Sequence, residues 1–157
     1  MSTPRPHPLH AVRAAAFAIG ALLLLVAVGV LLHQPLLIPP LAASAALVHG
    51  APGLPLAQPR NLVGGQLLSA LTGFATLTVT GRTAWGAAVA GGLALGAMML
   101  THLSHSPAAA TAVIVVLQGP HPVPFLPLLA LATALLVAIG MLPGRLGQSP
   151  VRYPLSW

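Results

Sequence analysis

Long apolar runs, broken by prolines and a few polar residues, divide the chain into six helical elements. Four runs are long: Ala14–Leu32, Leu62–Thr80, Ala84–Thr101 and Val123–Leu142. Each is close to the 20 or so apolar residues that cross a hydrocarbon core of about 30 Å. Two are short. Leu41 to His49 is nine residues and Ala108 to Gln118 is eleven, giving helices of roughly 14 and 17 Å. The expected architecture is all-α and integral to the membrane, with four long transmembrane helices and two half-helices that either re-enter or span short.

The order long–short–long occurs twice, over residues 14–80 and 84–142. The run Pro40-Leu-Ala-Ala-Ser-Ala-Ala-Leu-Val aligns with Pro107-Ala-Ala-Ala-Thr-Ala-Val-Ile-Val, placing Ser44 over Thr111. A proline opens each short run, at Pro40 and Pro107, where its missing N–H would have no partner anyway. With Pro40 set on Pro107, residues 18–34 fall on 85–101 without a gap. The first apolar run thus has an internal counterpart, and it lacks a small-x-small cleavage site; it reads as a spanning helix rather than a signal peptide. Residues 1–13 are polar and rich in Pro and His, the pattern of a flexible tail; 143–157 form a second short tail. Gly65, Ser69 and Gly73 in one long run, and Ala88, Gly92 and Gly96 in the next, make rows of small residues that let helix backbones approach. These rows predict that the two spans pack against each other within one chain.

Composition adds exclusions. Of 157 residues, 57% are hydrophobic and 4% charged, and there is no Asp, Glu or Cys. A soluble domain carries about a quarter charged residues, so membrane residence follows from this count as well. Without carboxylates there is no paired-acid catalysis and no Mg or Ca site built on Asp or Glu; without cysteine there is no thiol chemistry. No nucleophile–base pair is legible, and the expectation is that the protein is not an enzyme. Six arginines give a formal charge of +6, but they form no basic run, so nucleic acid is not an expected partner. Seven histidines remain. His33, His49, His102, His105 and His121 lack an acidic or thiolate surround, and neither a metal nor a cofactor is expected. Met98-Met99 reads as packing or lipid-facing.

Arginine placement gives orientation. If the short runs re-enter, Arg5, Arg13, Arg82, Arg145 and Arg152 share one side and Arg60 faces them; if they cross, Arg60 joins the majority and Arg82 is the exception. Both count five against one, with both termini cytoplasmic in a bacterial inner membrane. Crossing makes the halves inverted repeats and re-entry makes them parallel ones. Length favours re-entry.

Ala57-Gln-Pro-Arg-Asn61, Gly64-Gly65 and His105-Ser-Pro-Ala-Ala-Ala-Thr111 together resemble the HPP family of small integral membrane proteins, over about Ala14 to Leu142. His105-Ser106-Pro107 stands where the family has His-Pro-Pro, and Gln66 where it often has a histidine. The resemblance implies a membrane domain of unassigned activity in most members. Some plant and cyanobacterial members are linked to nitrite transport.

A helix that starts within a membrane leaves N–H donors and a positive dipole end that water or an anion can satisfy. The expected function is therefore transport of a small inorganic anion, nitrite or a similar species by resemblance. The pathway would be lined by the half-helix starts at Pro40, Leu41, Pro107 and Ala108. Ser44 and Thr111 would be hydroxyl donors and His105 a proton-sensitive one. Arg60, Asn61 and Gln58 would form a vestibule, although Arg60 also fits a place among lipid phosphates, and Asn61 and Gln66 also fit interhelical hydrogen bonds. Ser44 and Thr111 equally fit bonds to the carbonyl four residues back, and His105 a cap on the third span. The alternative function is a non-transporting scaffold or accessory subunit. Four spans offer little wall for a pathway, so a homo-oligomer is expected.

Overall fold

A computed structural model describes residues 7–149 and 151–157. Helices α1 (Pro8–Leu32), α2 (Pro39–Gly50), α3 (Pro59–Thr80), α4 (Ala84–Leu100), α5 (Ala109–Gln118) and α6 (Pro122–Gly140) form the bundle, and a single turn, α7 (Leu142–Arg145), follows. Single 3₁₀ turns precede α3 and α5, at Pro55–Ala57 and Ser106–Ala108. Among the described residues three segments are long and apolar enough to cross a membrane: Pro8–Leu32, Pro59–Thr80 and Pro122–Arg145. The expected fourth, α4, has 17 residues, about 25 Å.

Two boundaries differ from expectation. Helix α1 starts at Pro8, inside the expected flexible tail, because His7 caps it: its side chain accepts from the Leu9 N–H at 3.3 Å, and proline suits the first turn. Arg13 marks where the apolar run begins, not where the helix does. Residues 1–6 of that tail lie outside the described residues. The expected C-terminal tail is also partly ordered against the bundle. Burial takes Tyr153 to 5% exposure, and its hydroxyl donates to the Ala57 carbonyl at 3.0 Å.

Both short helices run from one end of the bundle to the other. One end gathers His10 and Arg13 of α1, His49 of α2 and Pro143 of α7 around a small cleft. Leu56 and Ala57, just before α3, bond His105 and Tyr153. The opposite end gathers Gln34 and Leu41 with Gln118 and His121, and there Arg82 Nε donates to the Leu117 carbonyl at 3.3 Å. Successive helices therefore alternate in direction through all six. Arg13, Arg60, Arg145 and Arg152 share the first end, and Arg82 lies at the second. Re-entry is overturned: the halves are inverted repeats. Helix length misleads because part of each crossing is extended chain, at about 3.3 Å per residue. Residues 35–38 before α2 and 103–105 before α5 supply it, with Leu36 and His105 buried.

The interior is small and partly polar, and the exterior is large and apolar. Buried positions include Ala21, Ala45, Ala70, Ala90, Ala94, Ala112 and Ala132, whereas Val79, Trp85, Leu100 and Val123 are each more than 80% exposed. That inversion suits a bundle surrounded by lipid, where close helix contact comes from small residues. The row Gly65, Ser69, Gly73 is buried as expected. Helices α3 and α4 pack against each other as the rows predicted, and the α3 row also meets α5. A Cβ at Gly73 would lie 2.9 Å from Ala112 and Val115 of α5, and one at Gly65 would lie 3.3 Å from Met98 Sδ. Helix α4 packs through Ala87, Ala90, Ala94 and Met98; its row Ala88, Gly92, Gly96 turns outward, with nothing within 4 Å of a Cβ at either glycine. So many residues of α4 are Ala or Gly that several four-spaced rows coexist, and spacing does not choose between them.

Candidate functional site

Three helices and one loop bring Ser44, Gln66, His105 and Thr111 into one hydrogen-bonded cluster. All four side chains have no measurable solvent exposure. Ser44 sits one turn into α2, Gln66 two turns into α3, Thr111 in the first turn of α5, and His105 at the end of the 101–105 segment that joins α4 to the 3₁₀ turn. The absence of side chains at Gly64 and Gly65 lets that segment lie against α3: a Cβ at Gly65 would stand 2.8 Å from the Leu103 carbonyl oxygen and 2.9 Å from His105 Cβ.

His105 Nδ1 lies 2.7 Å from the Leu56 carbonyl oxygen. A carbonyl only accepts, so Nδ1 carries a proton. Nε2 lies 2.7 Å from Ser44 Oγ. Ser44 Oγ in turn accepts from Gln66 Nε2 at 3.0 Å and lies 2.9 Å from the Pro40 carbonyl. The Gln66 Oε1 accepts from the Thr111 hydroxyl.

Ser44 has one hydrogen and two acceptors within reach, and this fixes the proton arithmetic. With His105 neutral, the Ser44 hydroxyl donates to Nε2. With His105 doubly protonated, Nε2–H donates to Ser44 Oγ and the hydroxyl turns to the Pro40 carbonyl. The His105 N–H groups and the Ser44 hydroxyl have partners in both states, and one N–H of the Gln66 amide bonds Ser44 Oγ throughout. Protonation of His105 adds the Ser44 bond to the Pro40 carbonyl, and deprotonation gives that bond up as the hydroxyl turns to Nε2. A buried polar cluster that stays satisfied avoids the penalty of about 1–3 kcal/mol for each orphaned group.

The remaining expected site residues are placed otherwise. Helix α2 opens on Pro39 and Pro40, which have no N–H, and the Leu41 and Ala42 N–H groups both go to the Ile38 carbonyl, at 2.9 and 3.3 Å. The Ala108 N–H goes to the His105 carbonyl at 2.9 Å. Leu41 and Ala108 are buried. The two half-helix starts therefore offer no open donors at these positions, contrary to the expected anion cradle, because prolines and preceding carbonyls satisfy the first turn. Pro107 lies partly buried within the 3₁₀ turn that opens α5. Gln58 is engaged with backbone on both ends of its amide: its Nε2 donates to the Pro52 and Leu54 carbonyls at 2.9 and 3.0 Å, and its Oε1 accepts from the Leu155 and Ser156 N–H groups at 2.8 and 3.3 Å. It fastens a loop. Asn61 Nδ2 donates to the Pro55 carbonyl at 2.9 Å, an anchor within that same loop. Arg60 is exposed at this end of the bundle, apart from the cluster. Gln66 is the residue that sequence reasoning undervalued. It stands directly after Gly64-Gly65, and it is the one side chain bonded to both Ser44 of the first repeat and Thr111 of the second.

No group of three or more metal-ligating side chains exists among the described residues. The model of the HPP transmembrane region matches residues 3–154. The chain belongs to the HPP family. Curated relatives include two transmembrane proteins of Dictyostelium discoideum. One is 44% identical over 82 residues, covering 50% of this chain and 26% of the relative; the other is 38% identical over 89 residues, covering 54% and 31%. The matched part of this HPP protein thus spans about a quarter to a third of those relatives. No solved structure matches it.

Proposed function

We propose that this HPP membrane protein carries a small inorganic anion, nitrite or a species of similar size and charge, across the bilayer, with the His105 proton taking part in the cycle. The observation that carries this reading is the buried Ser44–His105–Gln66–Thr111 cluster, which joins the two inverted repeats at the ends of their broken elements. Ionisable groups at membrane depth are expensive and mark pathways, and inverted repeats with discontinuous crossings place such sites at the repeat interface. A chain without Asp or Glu sets no side-chain carboxylate against an anion, and the arginines at the Arg60 end would concentrate anions there. With the cluster closed on itself, the arrangement fits an occluded state; transport requires α2 and α5 to part and expose His105. A homo-oligomer, meeting through the outward row Ala88, Gly92 and Gly96, belongs to the same proposal. So does placement of the Arg60 end on the cytoplasmic face of a bacterial inner membrane, following the arginine bias.

One feature favours the scaffold reading: the helix starts and Gln58 are fully engaged, so no anion-ligand set stands ready. Proteoliposome uptake decides between them. Native protein should take up nitrite, and His105→Gln, folded by circular dichroism, should lose at least about tenfold of the initial rate, the loss of one charge-assisted contact. Silence of the native protein toward nitrite, nitrate, formate and chloride, with the fold intact, would establish the scaffold.

A further inference from the structure

His49 is an unexplained buried base. It is 6% exposed, and neither of its ring nitrogens has a hydrogen-bond partner. The ring stacks on Phe17 of α1, with centroids 6.1 Å apart and planes 16° from parallel, so its plane is held. It lines the cleft between α1, α2 and the segment after α7, together with His10, Arg13, Gln148 and Ser149. Every one of these side chains is a donor or can become one, and no Asp or Glu exists in the chain to pair with Arg13.

We propose that this cleft binds a phosphate group at the Arg60 end of the bundle. The enclosed part is about 20 Å³, room for a single oxygen. One phosphate oxygen enters beside the His49 ring, whose nitrogens are closed off in this structure and reach the oxygen by a turn of the ring, and the rest of the group stays at the mouth, beside Arg13 and His10. The site lies where the headgroups of surrounding lipid would lie, at the end with four arginines. The same chemistry also admits free phosphate. The inference is independent of transport: it uses neither the His105 cluster nor any anion passage.

The test measures binding of dioleoylphosphatidylglycerol by native mass spectrometry, and the shift in unfolding temperature that it or inorganic phosphate causes in mild detergent. Bound ligand stabilises the folded state. Native protein should retain the lipid. Arg13→Gln and His49→Phe should each weaken retention about tenfold or more, whereas Arg152→Gln, at the same end but outside the cleft, should not. Stabilisation by the lipid alone identifies a headgroup site, and stabilisation by both ligands identifies a general phosphate site. Phenylalanine keeps the stack on Phe17, and an unchanged unfolding temperature without ligand shows that the variant folds; Arg13→Gln alters an exposed residue and tests the idea by itself. Absence of binding by either ligand, equal weakening in all three variants, or weakening by Arg13→Gln without His49→Phe would each overturn the proposal.

Discussion

Replacing Gln66 with methionine keeps most of its volume and removes both of its hydrogen bonds. Ser44 Oγ loses a donor but keeps His105 Nε2 and the Pro40 carbonyl in reach. Thr111 loses its only side-chain acceptor, in a position without solvent exposure. One orphaned buried hydroxyl costs about 1–3 kcal/mol, and interhelical bonds within membranes average about 0.6; Gln66→Met should therefore destabilise by about 1.5 kcal/mol. Thr111→Val alone orphans the Gln66 Oε1, at about 1 kcal/mol. The double variant has neither an orphaned hydroxyl nor an orphaned carbonyl. It should cost no more than Gln66→Met alone, instead of the sum of about 2.5 kcal/mol. For a chain of this length 1 kcal/mol moves the unfolding temperature by about 2–4 °C, so additivity would add several degrees to the loss. The assay is the four-variant cycle, by circular dichroism in detergent and by refoldable denaturant titration. An additive double variant would show that Gln66 and Thr111 do not share a bond, and the proton arithmetic built on the cluster would lose one of its members.

Single cysteines at Arg60 and Arg152 should react with an impermeant maleimide from one face of the membrane and a cysteine at Arg82 from the other, in a chain with no native cysteine to confuse the result; Arg60 and Arg82 labelled from the same face would refute the inverted repeat. Gly65→Ala should displace the His105 segment, since its Cβ would meet backbone at 2.8 Å, and cost about 1–3 kcal/mol of stability, read as unfolding temperature. Gly92→Ala, with open space around it within the chain, should stabilise the separated protomer by up to about 1 kcal/mol while weakening the proposed oligomer, read by light scattering in mild detergent; an unchanged oligomer would exclude that face as the contact.

The sequence carried much of this arrangement in its prolines. The repeat that sets Pro40 on Pro107 places Ser44 over Thr111, and both hydroxyls enter one cluster with His105. Direction was not legible, because a helix too short to cross can be completed by extended chain, and hydropathy does not distinguish a loop that turns back from a loop that continues. The cradle at the helix starts failed for a local reason: dipole and donor arguments count N–H groups, and Pro39-Pro40 removes two of them while the Ile38 carbonyl takes the next two. Gln58 shows the same limit. Its place beside Arg60 suggested a ligand, but two of its four bonds go to residues almost a hundred positions away, which no local pattern encodes. The α4 row failed because Ala and Gly fill too many positions for spacing to be informative.

Those four bonds also bear on how the chain is assembled. Gln58 Oε1 closes a contact 97 positions long, accepting from the Leu155 N–H, and Tyr153 closes one of 96, to Ala57. Contacts of such separation form late, because the intervening chain must be ordered first. During synthesis into a membrane the first three helices are thus inserted while the loop carrying Leu56 still lacks its clasp, and Leu56 is the residue whose carbonyl orients His105. A ribosome stalled before residues 153–156 emerge should therefore present an inserted bundle whose 51–58 loop lacks the Tyr153 and Gln58 contacts and is open to protease.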